Sequence, residues 1–132
     1  MAKARKAKEI SFTTANKVGL LSEVTTAVAG AKVNITTICA YAMENNATFM
    51  LTTDSNAKAK KALTPLGVTV EEKDVVAVEV PNKPGELQKV AKKIADGDID
   101  IEYMYATAGM SKTATCVFKT ADNSKTVKVI NK

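Results

Sequence analysis

The sequence contains no histidine and no tryptophan, a single arginine and only two cysteines. Without histidine the usual general base and the commonest neutral metal ligand are missing. That excludes a Ser-His-Asp hydrolase, a His-ligated zinc centre and a histidine pH switch. Cys39 and Cys116 cannot form a four-thiolate cluster and read as buried thiols on strands. No apolar run approaches the roughly 20 residues of a membrane span, and no apolar core follows the basic N-terminus as in a signal peptide, so the expected location is cytoplasmic. There is no G-x-x-x-x-G-K-[ST] phosphate loop, and no nucleophile stands beside an identifiable base. Asp96, Asp98 and Asp100 lack the later Gly and Glu of a calcium loop. The expectation is a protein that is not an enzyme and uses neither metal nor cofactor.

What is present is a net charge of +5 on 132 residues, from 19 basic and 14 acidic groups. Lys3, Arg5, Lys6 and Lys8 fall within residues 1–8, where no acid occurs, so the rest of the chain is near neutral. A short like-charged terminus reads as a disordered, solvated tail.

The strongest signal is a duplication. Displaced by 66 residues, NKVGLLSEVTTAVAGAKVNITTICAYA from Asn16 aligns without a gap with NKPGELQKVAKKIADGDIDIEYMYATA from Asn82. Asn16/Asn82, Lys17/Lys83, Gly19/Gly85, Leu21/Leu87 and Val24/Val90 are identical pairs, and Val28/Ile94, Val33/Ile99 and Ile35/Ile101 keep their apolar character. Within each copy the period alternates. Glu9–Thr14 and Val75–Val80 read as β-branched strands. Leu20, Leu21, Val24 and Val28, like Leu87, Val90, Ala91 and Ile94, then form one helical stripe. Gly30 and Gly97 read as left-handed helix ends. Strands resume at Val33–Tyr41 and Ile99–Thr107, then at Thr48–Thr53 and Thr113–Lys119. In the first copy, Asp54 or Ser55 caps a helix through Leu66, and Gly67–Glu72 closes the unit.

The predicted class is α+β: two ferredoxin-like βαββαβ units, each an antiparallel sheet with both helices on one face. The expected division is a tail at 1–8, a first unit at 9–72 and a second at 73–132. The second copy ends before the counterpart of Gly67–Glu72, so it lacks its last strand and would expose the edge of Val75–Val80. Cover is expected from the first copy's closing strand or from a second subunit.

On the Asn-Lys-x-Gly entries, the amphipathic helices behind them, the Val-Asn-Ile and Ile-Asp-Ile strand starts and the Ile-Glu-Tyr-Met-Tyr-Ala run from Ile101, residues 9–131 resemble the ACT domain. That is a small regulatory module of amino-acid metabolism, here in the tandem form of stand-alone double-ACT proteins. The resemblance implies a non-catalytic regulator that binds a small amino acid between paired units, acts as a homodimer and reports to a partner enzyme or regulator. It assigns the ligand to Asn16, Lys17, Val18, Gly19 and Leu20 and to Asn82, Lys83, Pro84, Gly85 and Glu86. Opposite these loops it places Asn34 with Ile35 and Asp100 with Ile101. Asn16 would face Asp100 and Asn82 would face Asn34, which makes the Asn16 site the better amino-acid binder. The chemistry suits an α-amino acid: glycine admits a close backbone, amides at a helix start favour a carboxylate, and an Asn side chain both donates and accepts. The alternative is a nucleic-acid-binding βαββαβ protein using the basic tail. It would need strand aromatics and a Lys/Arg-Gly-Phe/Tyr signature, which this sequence lacks.

Overall fold

The computed structural model describes residues 1–132. The chain groups into two compact units, Lys8–Lys73 and, in the second, Met1–Ala7 with Asp74–Lys132. The first unit uses strand β1 (Lys3–Ala15) from Lys8 onward, helix α1 (Leu20–Gly30), β2 (Ile35–Met43), β3 (Asn46–Thr53), α2 (Asn56–Leu63) and a 3₁₀ turn at Thr64–Leu66. Its strands lie in the order β2-β3-β1 with antiparallel pairing. The second unit uses β4 (Glu71–Pro81) from Asp74 onward, α3 (Glu86–Asp96), β5 (Ile101–Thr107), β6 (Thr113–Thr120) and α4 (Asn123–Asn131). Its order is β1-β4-β6-β5, with β1 contributing its first residues. This is the α+β, ferredoxin-like plan read from the repeat. No helix is long and apolar enough to cross a membrane.

Period-two alternation decides which strand residues meet the helices. In the first unit Ile10, Phe12, Ala47, Phe49 and Leu51 pack with Leu20, Val24 and Val28 of α1 and Ala59 and Leu63 of α2. In the second, Ala4, Val76, Val78, Val80, Cys116 and Phe118 pack with Val90 and Ile94 of α3 and Ile130 of α4. Asparagines fasten the second helix of each unit to its first strand: Asn56 Nδ2 donates to Lys8 O at 3.1 Å, and Asn123 Nδ2 to Asp74 O at 2.9 Å.

Four details differ from the sequence reading. Residues 3–7 are not a disordered tail. They form the start of β1, with Ala4 buried in the second core. Asn131 Oδ1 accepts from Ala4 N at 2.7 Å while its Nδ2 donates to Ala4 O at 2.9 Å. The physical reason is the missing last strand: the edge of β4 is covered by this N-terminal segment of the same chain, not by the first copy's closing strand or a second subunit. The expected strands Gly67–Glu72 and Val75–Val80 merge into a single β4 that starts at Glu71. Helix α2 stops at Leu63, because Pro65 supplies no N–H to continue it. Finally, the left-handed residues that end α1 and α3 are Lys32 (φ 59°) and Asp98 (φ 55°), not Gly30 and Gly97. Val33 N donates to Val28 O and Lys32 N to Ala29 O at 3.3 and 2.9 Å, and Ile99 and Asp98 repeat the pattern, which is a Schellman end. Gly97 is small for a different reason, since a Cβ there would sit 3.3 Å from Ile99 Cδ1 and 3.4 Å from Val129 Cγ1.

Candidate functional site

Each copy enters its first helix through the same turn. Asn16 N donates to Asn45 O and Asn82 N to Lys112 O, both at 2.8 Å, which ties the loop to the following hairpin turn. Gly19 (φ 87°) and Gly85 (φ 86°) then start α1 and α3 in the left-handed region, where other residues pay roughly 1–2 kcal/mol. A Cβ at either glycine would meet nothing within 4 Å, so the backbone, not crowding, requires glycine there. Neither helix has a side-chain cap, whereas Ser55 caps α2 and Asp122 caps α4. The first-turn N–H groups of α1 and α3 therefore lack a capping side chain.

Beyond this common frame the copies diverge. In the first unit the loop borders a cleft of about 280 Å³ lined by Asn16, Lys17, Gly19, Leu20 and Leu21 and, from β2 and β3, Ala40, Tyr41, Ala42, Ala47 and Phe49. Its floor is apolar because the register pairs Ala40 with Phe49 and Ala42 with Ala47. Phe49 is fixed by stacking on Phe12, with centroids 5.0 Å apart and planes 9° from parallel. Lys17 Nζ pairs with Glu23 Oε2 at 2.9 Å on the rim, and Tyr41 is half exposed. The Asn16 side chain is exposed and has no partner in the chain.

In the second unit the corresponding amide is engaged. Asn82 Nδ2 donates to Gly109 O at 2.9 Å and Ser111 O at 3.0 Å, which uses both of its hydrogens to hold the β5–β6 loop. Glu86 binds Lys89 at 2.8 Å; that hydrogen bond, with the Lys89 charge, holds its carboxyl below the usual carboxylate range. Lys83 and Pro84 are exposed.

Of the expected residues, Asn16, Lys17, Gly19 and Leu20 come together, while Val18 is fully exposed and lines no part of the cleft. Asn34 and Ile35 sit where β2 begins, beside Asp54, whose N donates to Asn34 O at 3.1 Å. The Asn16 loop lies at the other end of that sheet, by Asn46. Asp100 and Ile101 likewise sit beside Ala121, away from Asn82 in their own unit. Within one unit, then, the loop and the strand start do not meet. The residues the sequence reading missed are Leu21, Tyr41 and the alanine and Phe49 floor. Leu21 was read only as part of the helical stripe, and the only signal for the strand residues was alternation, which does not say which strand lies under the loop. No group of three or more His, Cys, Asp or Glu is placed to hold a metal ion.

Fold and loops together define a duplicated ferredoxin-like module whose first helices are each entered through an Asn-Lys-x-Gly turn. The chain belongs to the ACT domain pair family, whose model matches residues 6–132. It is similar to protein BT0572 from Bacteroides thetaiotaomicron, with 31% identity over 97% of this chain and 88% of that one and a TM-score of 0.88. The fold is shared with the ligand-free regulatory subunit of aspartate kinase from Thermus thermophilus (14% identity, 98% and 94% covered, TM-score 0.69). It is also shared with E. coli aspartokinase III in complex with lysine and aspartate (14% identity, 98% of this chain but 31% of that one, TM-score 0.60). Among curated proteins none matches this chain.

Proposed function

We propose that this protein is an amino-acid-binding regulatory protein whose ligand occupies the first-copy cleft. The observation that carries the reading is the contrast between the two loops: Asn16 is unpartnered beside an open cleft, whereas Asn82 is tied to its own hairpin. An α-carboxylate fits the uncapped start of α1, where amide dipoles favour an anion. Asn16 offers a carbonyl to the α-ammonium, and Ala40, Ala42, Ala47 and Phe49 favour a small apolar ligand side chain. The regulatory aspartate kinases that share the fold, one of them in complex with lysine and aspartate, agree with this reading. We further place the protein in the cytoplasm as a non-catalytic homodimer that passes ligand occupancy to a partner enzyme or regulator. Such output requires ligand and partner to prefer the same of two states.

The test is a thermal-shift and calorimetric titration of the full chain with each of the common amino acids of uncharged side chain. A true ligand at a hundredfold excess over Kd adds roughly 2.7 kcal/mol to stability. Asn16→Ala should abolish that gain and Asn82→Ala should keep it. Absence of any amino-acid response in the parent protein, or loss confined to Asn82→Ala, rejects the reading.

A further inference from the structure

A second concavity, of about 270 Å³, lies in the second unit and is lined by Lys3, Ala4, Arg5, Ala77, Val78, Glu79 and Thr115. Ala4, Val78 and their in-register neighbours Val76, Val80 and Cys116 belong to the helix-side core. Alternation therefore sends Lys3, Arg5, Ala77, Glu79 and Thr115 to the face opposite α3 and α4. The dent exists because Ala77 is small and the flanking side chains are long. Glu79 and Thr115 are direct cross-strand partners, which places them on the same face of the sheet.

The electrostatics of this dent are unusual for the chain. Ion pairs form elsewhere, such as Lys17–Glu23 and Lys92–Asp96, yet Lys3, Arg5 and Glu79 take part in none within 4.0 Å. Two cations and one carboxylate thus border one cleft without closing on each other. The only arginine of the sequence is one of them, and its planar fork suits a carboxylate bidentately. The counterpart of Glu79 in the first copy is Thr13, so the arrangement occurs once.

We infer that this face binds a small amino dicarboxylate of the aspartate or glutamate class. One carboxylate meets the Arg5 guanidinium, the other Lys3, and the ammonium meets Glu79 with Thr115 as a further hydrogen-bond partner. Charge matching selects the class: two positive groups and one negative suit a ligand of net −1, which a neutral amino acid or a plain dicarboxylate does not reproduce. The site is separate from the first-copy cleft and stands or falls independently of the function proposed above.

The experiment is calorimetry of the full chain with aspartate, glutamate, succinate and leucine, repeated for Arg5→Gln, Arg5→Lys, Glu79→Gln and Asn16→Ala. All three substituted side chains are exposed, and circular dichroism checks that each of the four variants folds. The expected result is binding of an acidic amino acid that weakens at least tenfold in Arg5→Gln and Glu79→Gln, less in Arg5→Lys, and not at all in Asn16→Ala. In Glu79→Gln, succinate should gain on aspartate, since the ammonium partner is gone. The inference is overturned if neither acidic amino acid binds the parent protein at millimolar concentration, or if binding survives both Arg5→Gln and Glu79→Gln, or if Asn16→Ala alone removes it.

Discussion

The left-handed positions separate glycines that the backbone requires from residues that occupy the same region at a cost. At Gly19, φ is +87° with open space above it, so Gly19→Ala adds no clash and still loses about 1–2 kcal/mol. Lys32 is the converse case, a long side chain held at φ 59° by the Schellman end of α1. Lys32→Gly removes that penalty at a smaller entropic cost, for a net gain of about 0.5–1 kcal/mol. Asp98→Gly should gain less, because aspartate tolerates the region better. Urea melts of the three variants check the order, and a destabilised Lys32→Gly would contradict it. Reactivity gives a second residue-scale test. Burial raises the pKa of the Cys116 thiol, leaving less thiolate at neutral pH, so a thiol reagent should label the half-exposed Cys39 first and Cys116 only on unfolding. Equal native labelling rates would contradict it. The Asn16–Gly19 turn was legible in the sequence because turn chemistry is local. The divergence of Asn82 was not, because the carbonyls it holds belong to residues 27 and 29 positions away.

Among the elements, the four helices divide by how their ends are satisfied. Asp122 accepts from Lys125 N at 3.0 Å, a shorter bond than the 3.4 Å from Lys58 N to Ser55, so Asp122→Ala should cost about 1 kcal/mol and Ser55→Ala less. At the other end of α4, Lys93 Nζ donates to Ile130 O at 2.9 Å and Lys132 O at 3.0 Å, putting a cation on the last carbonyls. Lys93→Met keeps the apolar stem and should lose about 1–3 kcal/mol, with faster amide exchange confined to the end of α4. Uniform exchange along α4 would point to lost packing instead. These elements were legible from periodicity. The exceptions were places where periodicity carries no information: the polar Lys73-Asp74 pair reads as a break, yet β4 runs through it, and the β5–β6 connection is five residues where β2–β3 has two.

On the scale of the whole molecule, the duplication is incomplete in sequence but complete in space. The boundary between units falls inside β1, after Ala7, and inside β4, after Lys73. A basic octapeptide carries no pattern that announces a strand, and its fate depends on an edge created about 70 residues later, which is why composition alone suggested a solvated tail. The consequence is testable by subtraction. Deleting residues 1–7 removes the buried Ala4 and both Asn131 bonds, and leaves the β4 edge without its neighbour. An unpaired edge rich in valine is a template for pairing with another chain. The truncated protein should show accelerated amide exchange at Val75–Val80 and association into species larger than the parent protein forms, while Lys8–Lys73 keeps its protection. Asn131→Ala isolates the side-chain contribution: the strand stays but loses its clamp, at about 1–3 kcal/mol, and no association beyond that of the parent protein should appear. If both variants exchange and sediment like the parent protein, the N-terminal strand is not what closes the second unit.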